Sequence, residues 1–403
     1  MTSSRLRGGR VLVTGAALAD GTSDTLVRDV TVHVDDGVLA GVWTEGDGPA
    51  AADLPGVTVI DGAGATIVPG MVDSHAHLSM PGGADWVAHG FDPVDSLLAV
   101  GEENGELMVG AGIRWARDVG APRRLDPERG AERAASLMLR DRWHGNVGRP
   151  YLRAAGTWIL RSGALPDGLG VEVDHAADLV PAVRQQLDEG ADLVKLYLDG
   201  PDLDVSPFSA DEVAAAVREA HARGAKVAAH ATTLPGNRVG AQAGVDSLEH
   251  GFQIDADTAA LMVANDVTLV STLAVLHSWH TFVATSSVPR FTDPAALPRL
   301  DERLETAMAS VRAADAAGVR IAAGSDFGGG SLRANQLVWE VAALITAGVR
   351  PEAALAAVTW RGGELLGDPN AGRLVVGQRA HFSLVHGDPL SDPAALWRVW
   401  LTR

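Results

Sequence analysis

The stretch Thr66-Ile67-Val68-Pro69-Gly70-Met71-Val72-Asp73-Ser74-His75-Ala76-His77 decides how the chain is read. An apolar, β-branched run passes through Pro-Gly and ends in two histidines separated by one alanine. Side chains alternate faces along a strand, so His75 and His77 point to the same side. A strand tip that offers two imidazoles on one face is a ready metal chelate. The question is whether the rest of the chain brings further ligands to that tip.

Downstream, strands alternate with helices. A helix ending near Gly190 leads into the short apolar run 191–198. Ser209-Ala210-Asp211-Glu212 is a capping-box signal, and the helix it opens carries Val213, Ala216, Val217 and Ala220 on one face before Gly224 closes it. Residues 226–231 read as a strand, 257–265 as a helix and 267–271 as a strand. A long helix over 301–317 stops at Gly318, and Pro351 sits where a helix starts, because its missing N–H costs nothing there. The strand segments are 67–73, 110–117, 151–158, 191–197, 225–230, 244–249, 267–272 and 319–325. Eight strands alternating with helices predict the α/β class and a (β/α)8 TIM barrel.

The two ends read differently. Residues 11–13, 30–34 and 57–60 are short strands separated by turns such as Asp35-Asp36-Gly37 and Asp61-Gly62. Residues 374–377 and 381–385 return to that style. The expected organisation is a small β-sandwich domain from both termini (1–68 and 367–403) beside a barrel over 69–366. Residues 285–298, with three prolines, read as a loop.

Composition narrows the function. The chain has 403 residues, 46% hydrophobic and 21% charged, an ordinary globular balance. Its net charge of −18 repels phosphate backbones and anionic lipid, which argues against a nucleic-acid or membrane partner. No apolar run approaches the ~20 residues that span a bilayer. Arg5, Arg7 and Arg10 precede an apolar stretch over 11–19, but Thr14 and Gly15 interrupt it, and a first β-strand is the better reading than a signal peptide. A cytoplasmic location is expected. There is no cysteine, so any metal is held by His, carboxylate or an unusual oxygen ligand. Lysine occurs only at Lys195 and Lys226, against arginine elsewhere, so a lysine within an apolar segment calls for an explanation.

Function in such a barrel sits where strands end at the C-terminal face. The fourth strand ends Val194-Lys195-Leu196-Tyr197, the fifth at His230, the sixth at Glu249-His250 and the eighth at Ser325-Asp326. Each alone has an ordinary reading: a satisfied histidine, a turn aspartate, a snorkelling lysine. Together with His75 and His77 they give His-x-His, Lys, His, His and Asp at one end of one barrel, which chance placement does not produce.

With these residues in hand, the chain resembles the amidohydrolase superfamily of metal-dependent hydrolases. More locally it is similar to the imidazolonepropionase-like and Xaa-Pro dipeptidase-like branch. Residues 69–78, Arg117-Asp118-Val119-Gly120, Val194-Lys195-Leu196-Tyr197 and Ala243-Gly244-Val245-Asp246-Ser247-Leu248-Glu249-His250-Gly251 carry that resemblance. It implies two divalent metal ions, zinc first, with manganese or cobalt also suited to N/O ligands. His75, His77 and Asp326 would hold one ion and His230 and His250 the other, with Lys195 bridging both as an N-carboxylated lysine. Burial favours the neutral amine that adds carbon dioxide. The ion pair would share a hydroxide, Asp326 would act as general base and then acid, and Tyr197 would donate to the oxyanion or else serve the core or a lid.

The same resemblance implies hydrolysis of a C–N amide bond in a small-molecule substrate, a dipeptide or N-acyl amino acid. The alternatives are a cyclic amide, lactone or organophosphate on the same metals, a mononuclear enzyme such as a deaminase, and a non-catalytic scaffold. Against the deaminase, Ala231-Thr232-Thr233-Leu234 follows His230 with no extra acid. Candidate substrate contacts lie in the loops after the strands: Trp86, Arg161, His277, Trp279, His280 and Arg333. Arg161 or Arg333 would clamp a carboxylate. That the chain forms a homo-oligomer is an analogy with the family only.

Overall fold

The computed structural model describes residues 9–403; Arg5 and Arg7 lie outside the described residues. Eight parallel strands form the barrel: Met71–Ala76, Ile113–Asp118, Tyr151–Leu160, Leu193–Tyr197, Lys226–Ala231, Ser247–His250, Thr268–Ser271 and Ile321–Ala323. Each pairs with the next in chain order, from the first through the eighth. The ring closes at its upper rim: Asp326 N–H donates to His75 O at 2.8 Å and His77 N–H to Phe327 O at 3.2 Å. Asp73 adds a side-chain clasp there, accepting from Ser325 N–H at 3.0 Å and Ser325 Oγ–H at 2.6 Å. One apolar core of mainly Val, Leu, Ile and Ala fills the space between strands and helices.

The segment 67–73, expected as one strand, is two. Ala65–Pro69 belongs to the terminal sheet, where it pairs antiparallel with Phe382–His386. The barrel strand starts at Met71. Pro69 has no N–H to continue a ladder, and Gly70 instead donates to His381 O at 2.8 Å. The chain thus passes from one sheet to the other across Pro69-Gly70.

Seven strands from both ends make one mixed sheet with its own apolar core around Val13, Val32, Leu39, Ile67, Phe382 and Leu384. Val11–Leu18 breaks register after Val13, so its first half pairs with Thr58–Asp61 and its second half with Ala65–Pro69. The strand expected at 374–377 is a turn, tied to the neighbouring strand by Gly377 N–H donating to Leu39 O at 2.8 Å. Val38–Trp43 and Val399–Thr402 supply strands that the sequence reading did not name.

The capping box at Ser209 forms as expected on helix Ala210–Ala222. The long helix starts earlier than expected and runs Ala296–Ala317, ending on Gly318 at φ +83°. The stretch read as a loop contains the helical turn Pro289–Thr292, opened by a proline at its first positions. No helix among the described residues is long and apolar enough to cross a membrane.

Candidate metal centre and substrate pocket

The strand tips converge. His75, His77, Lys195, Tyr197, His230, His250 and Asp326 line one cavity of about 110 Å³, walled by Trp86, Trp158, Phe252, Val275, Trp279, Arg290 and Arg303. A larger cavity of about 630 Å³ opens beside the starts of the second, third and fourth barrel strands, near Trp115 and Tyr151, and has none of the strand-tip histidines in its wall.

Three of the four imidazoles are held by a partner on Nδ1. His75 Nδ1 meets Glu249 at 2.7 Å, His77 Nδ1 meets Gly120 O at 2.9 Å, and His250 Nδ1 meets Thr272 Oγ1 at 2.8 Å. Such contacts fix tautomer and ring orientation and leave Nε2 free to ligate. The Nε2 atoms of His75 and His77 both face Asp326 Oδ1, at 3.5 and 3.4 Å. The rings of His75 and His230 each lie 4.6 Å from that of His250. Tyr197 stacks flat on His230 at 4.0 Å, and His230 Nε2 sits 3.3 Å from Asp199. Ligand atoms of His75, His250 and Asp326 fall within 4.8 Å of one another.

The backbone bends to achieve this. His250 and Asp326 sit in the left-handed region at φ +73° and +51°. Non-glycine residues reach it at a cost, and such strain gathers at functional sites.

Lys195 is 1% exposed, and no described residue gives its amine a hydrogen bond or an ion pair. Burial lowers it to about 8. An unpaired ammonium there would be costly. Burial, reinforced by neighbouring cations, also holds His75 and His250 well below the usual histidine range, so both rings are neutral, the ligating form. Burial likewise depresses His230, against the pull of Asp199. His77 moves the other way: burial opposes its charge, but Asp326 and Asp118 outweigh burial and raise it. Burial pushes the Tyr197 phenol up, keeping it protonated. Four imidazoles, a carboxylate and a buried amine without a partner fit a divalent metal centre.

Arg117 and Glu249 form the floor beneath this set, and sequence reading gave them no role. Arg117 donates to Glu249 at 2.6 Å, to Ser74 O at 2.6 Å and to Ser247 Oγ at 2.9 Å. The signal was present: charged residues inside buried strands must be paired. Nothing in either motif named the other as partner.

Of the expected substrate contacts, Trp86 and Trp279 are in the wall and four residues are not. His277 is exposed, because Val275 and Trp279 stand four apart on the cavity side of helix Leu273–Thr285 and His277 falls between them. His280 is 3.7 Å from Asp301. Arg161 donates to the carbonyls of Asp174 and Pro207, and Arg333 pairs with Glu103 at 3.0 Å. The arginines in the wall are Arg290 and Arg303, which come from the segment 286–303 after the seventh strand.

Residues 66–401 match the model of the amidohydrolase family. The chain is 32% identical over 319 residues to an uncharacterized protein of Mycobacterium tuberculosis, covering 77% of each. It is 31% identical over 294 residues to an imidazolonepropionase of Salinispora tropica, covering 65% of this chain and 67% of the relative. Among solved structures, a Xaa-Pro dipeptidase with bound methionine in its active site superposes with a TM-score of 0.81 over 98% of this chain and 100% of that one, at 24% identity.

Proposed function

The chain belongs to the amidohydrolase family and is a hydrolase, and from that premise we propose that it cleaves a C–N amide bond in a dipeptide or N-acyl amino acid at a two-metal centre. The observation that carries this reading is the convergence of His75, His77, His230, His250, Asp326 and the partnerless Lys195 on one cavity. His75, His77 and Asp326 would hold one ion, His230 and His250 the other, and a carboxylated Lys195 would contribute to both. When bound, the ions supply a water acidic enough to ionise near neutral pH and a Lewis acid for the scissile carbonyl.

The chain's own groups do the rest. The depressed Lys195 amine takes up carbon dioxide, releasing a proton and becoming an anionic two-oxygen ligand. Asp326, flanked by two imidazole Nε2 atoms, takes the proton of the attacking water and returns it to the departing amine. Tyr197, held protonated, donates to the carbonyl oxygen as charge develops on it. Trp86, Trp158, Phe252 and Trp279 exclude water and pack the apolar part of the substrate.

The test is metal analysis joined to a screen of dipeptides, N-acyl amino acids, lactones and phosphotriesters, with zinc or manganese and with or without bicarbonate. About two ions per chain and hydrolysis of amides are expected. Metal-free protein after mild purification, or turnover confined to lactones or phosphotriesters, overturns the reading. A one-metal reading draws on the tight grouping of His75, His250 and Asp326. It is favoured over ours if Lys195→Ala keeps full metal content and activity.

A further inference from the structure

Two arginines in the wall have no carboxylate partner among the described residues. The chain holds 51 Asp and Glu against 33 Lys and Arg, so acidic partners are abundant. Arg299 pairs with Asp293 at 2.8 Å and Arg333 with Glu103 at 3.0 Å. Among the described residues, neither Arg290 nor Arg303 has a carboxylate within 4.0 Å. Arg303 makes no hydrogen bond, and Arg290 makes one, to Ala84 O at 3.1 Å. The acids that act on them at longer range are Asp85 on Arg290 and Asp199 on Arg303.

Aromatic rings hold both guanidinium groups in place. Arg303 lies over Phe252 at 5.1 Å and Trp279 at 5.6 Å, while Arg290 lies over Phe291 at 4.6 Å and Trp279 at 5.8 Å. Rings restrain a guanidinium plane without consuming its N–H donors. Phe252 in turn packs on His250 at 5.5 Å, and Trp279 donates to Gly329 O at 3.1 Å, three residues from Asp326. Trp279, Arg290 and Arg303 also line a second cavity of about 360 Å³, floored by Phe291 and Leu300. The two cavities therefore share a positively charged, aromatic wall. Unsatisfied donors next to each other repel, and a bound anion relieves both.

Resting on the amide-hydrolase reading above, we propose that Arg290 and Arg303 are a carboxylate-binding pair at the mouth of the metal pocket. The substrate class is then an amide that carries a free carboxylate beside an aromatic or bulky apolar group, with the apolar group reaching toward Phe291 and Leu300. The segment 286–303 is the specificity element.

The test is binding, so it does not depend on turnover. Titration calorimetry on the metal-loaded protein uses N-acetyl-L-phenylalanine and its carboxamide, which differ only in the charged group. The acid binds about 10- to 100-fold more tightly, the range for hydrogen bonds to a charged partner. Arg303→Met and Arg290→Met each shrink that ratio and the double variant abolishes it, while carboxamide affinity stays within about twofold. Arg303→Lys keeps a charge and retains part of the preference. In the wild type the preference falls as salt rises, a readout that needs no variant to fold. Equal affinity for acid and carboxamide, or equal losses for both in the variants, overturns the proposal. Metal-loaded protein that cleaves no amide yet prefers the acid overturns the amide-hydrolase reading and leaves the carboxylate pair standing.

Discussion

Replacing Glu249 by Gln tests whether the floor of the site positions the proposed metal ligands. Glu249 is fully buried and accepts from Arg117 at 2.6 Å and from His75 Nδ1 at 2.7 Å. Burial alone would raise this carboxyl, but Arg117 and Lys195 outweigh burial and hold it below the usual range. Glutamine keeps the volume, loses the charge and offers one acceptor oxygen, so either Arg117 or His75 faces an amide N–H₂. Breaking one partner out of a buried ion pair costs about 3–5 kcal/mol, and the retained oxygen brings the estimate to the low end, about 3 kcal/mol. Losing the group that orients a ligating histidine costs about 10- to 100-fold in metal affinity. Urea unfolding of the metal-free protein measures the first quantity and competition with a chelator dye measures the second. The double variant Arg117→Met/Glu249→Gln is expected to regain part of the stability and part of the affinity, since the one amide oxygen is then free to accept from His75 Nδ1. Unchanged metal affinity in Glu249→Gln refutes the positioning role, whatever the stability does.

Further outcomes follow from other parts of the site. Lys195→Ala is expected to bind fewer than two metal ions per chain and to lose any response of activity to bicarbonate, read by metal analysis and rate assays. Gly324→Ala places a Cβ 2.3 Å from His75 Cβ and 2.5 Å from His75 N, so backbone must move. A loss of about 1–3 kcal/mol, with weaker metal binding, is expected in thermal and chelator titrations. Glu340 is buried, accepting from Ser271 Oγ–H at 2.6 Å and Ala274 N–H at 2.7 Å, and burial raises it to about 7. The folded state then keeps a proton that the unfolded chain releases nearer 4.5, so this group's contribution is full below that value and lost as pH rises toward 7. The loss is roughly 3 kcal/mol. Glu340→Gln is expected to flatten this slope, and melting curves across pH 5–7.5 that match the wild type refute it.

The barrel was legible because strand–helix alternation is a local signal, set by the period of apolar residues and by caps such as Ser209 and Gly318. The convergence of the strand-tip residues was legible because barrel topology sends every strand end to one face. Boundaries were less so. By its own residues Pro69-Gly70 reads as the inside of a strand, although it is where the chain changes sheets, since only the partner at His381 shows the break. The segment 285–298 reads as a loop because its prolines punctuate it, while two of those prolines lie at or beside helix starts and Arg290 reaches the pocket from it.

The order His-x-His, Lys, His, His, Asp follows from the chain alone, because each residue's place at a strand end depends on its own neighbours in sequence. The pairing of Arg117 with Glu249 crosses 132 residues, and the meeting of Arg290 and Arg303 with Phe252 and Trp279 joins different loops and helices. Such contacts depend on how distant segments pack. Spacing along the chain does not encode which arginine finds a carboxylate and which is left facing the pocket, and only the folded arrangement decides it.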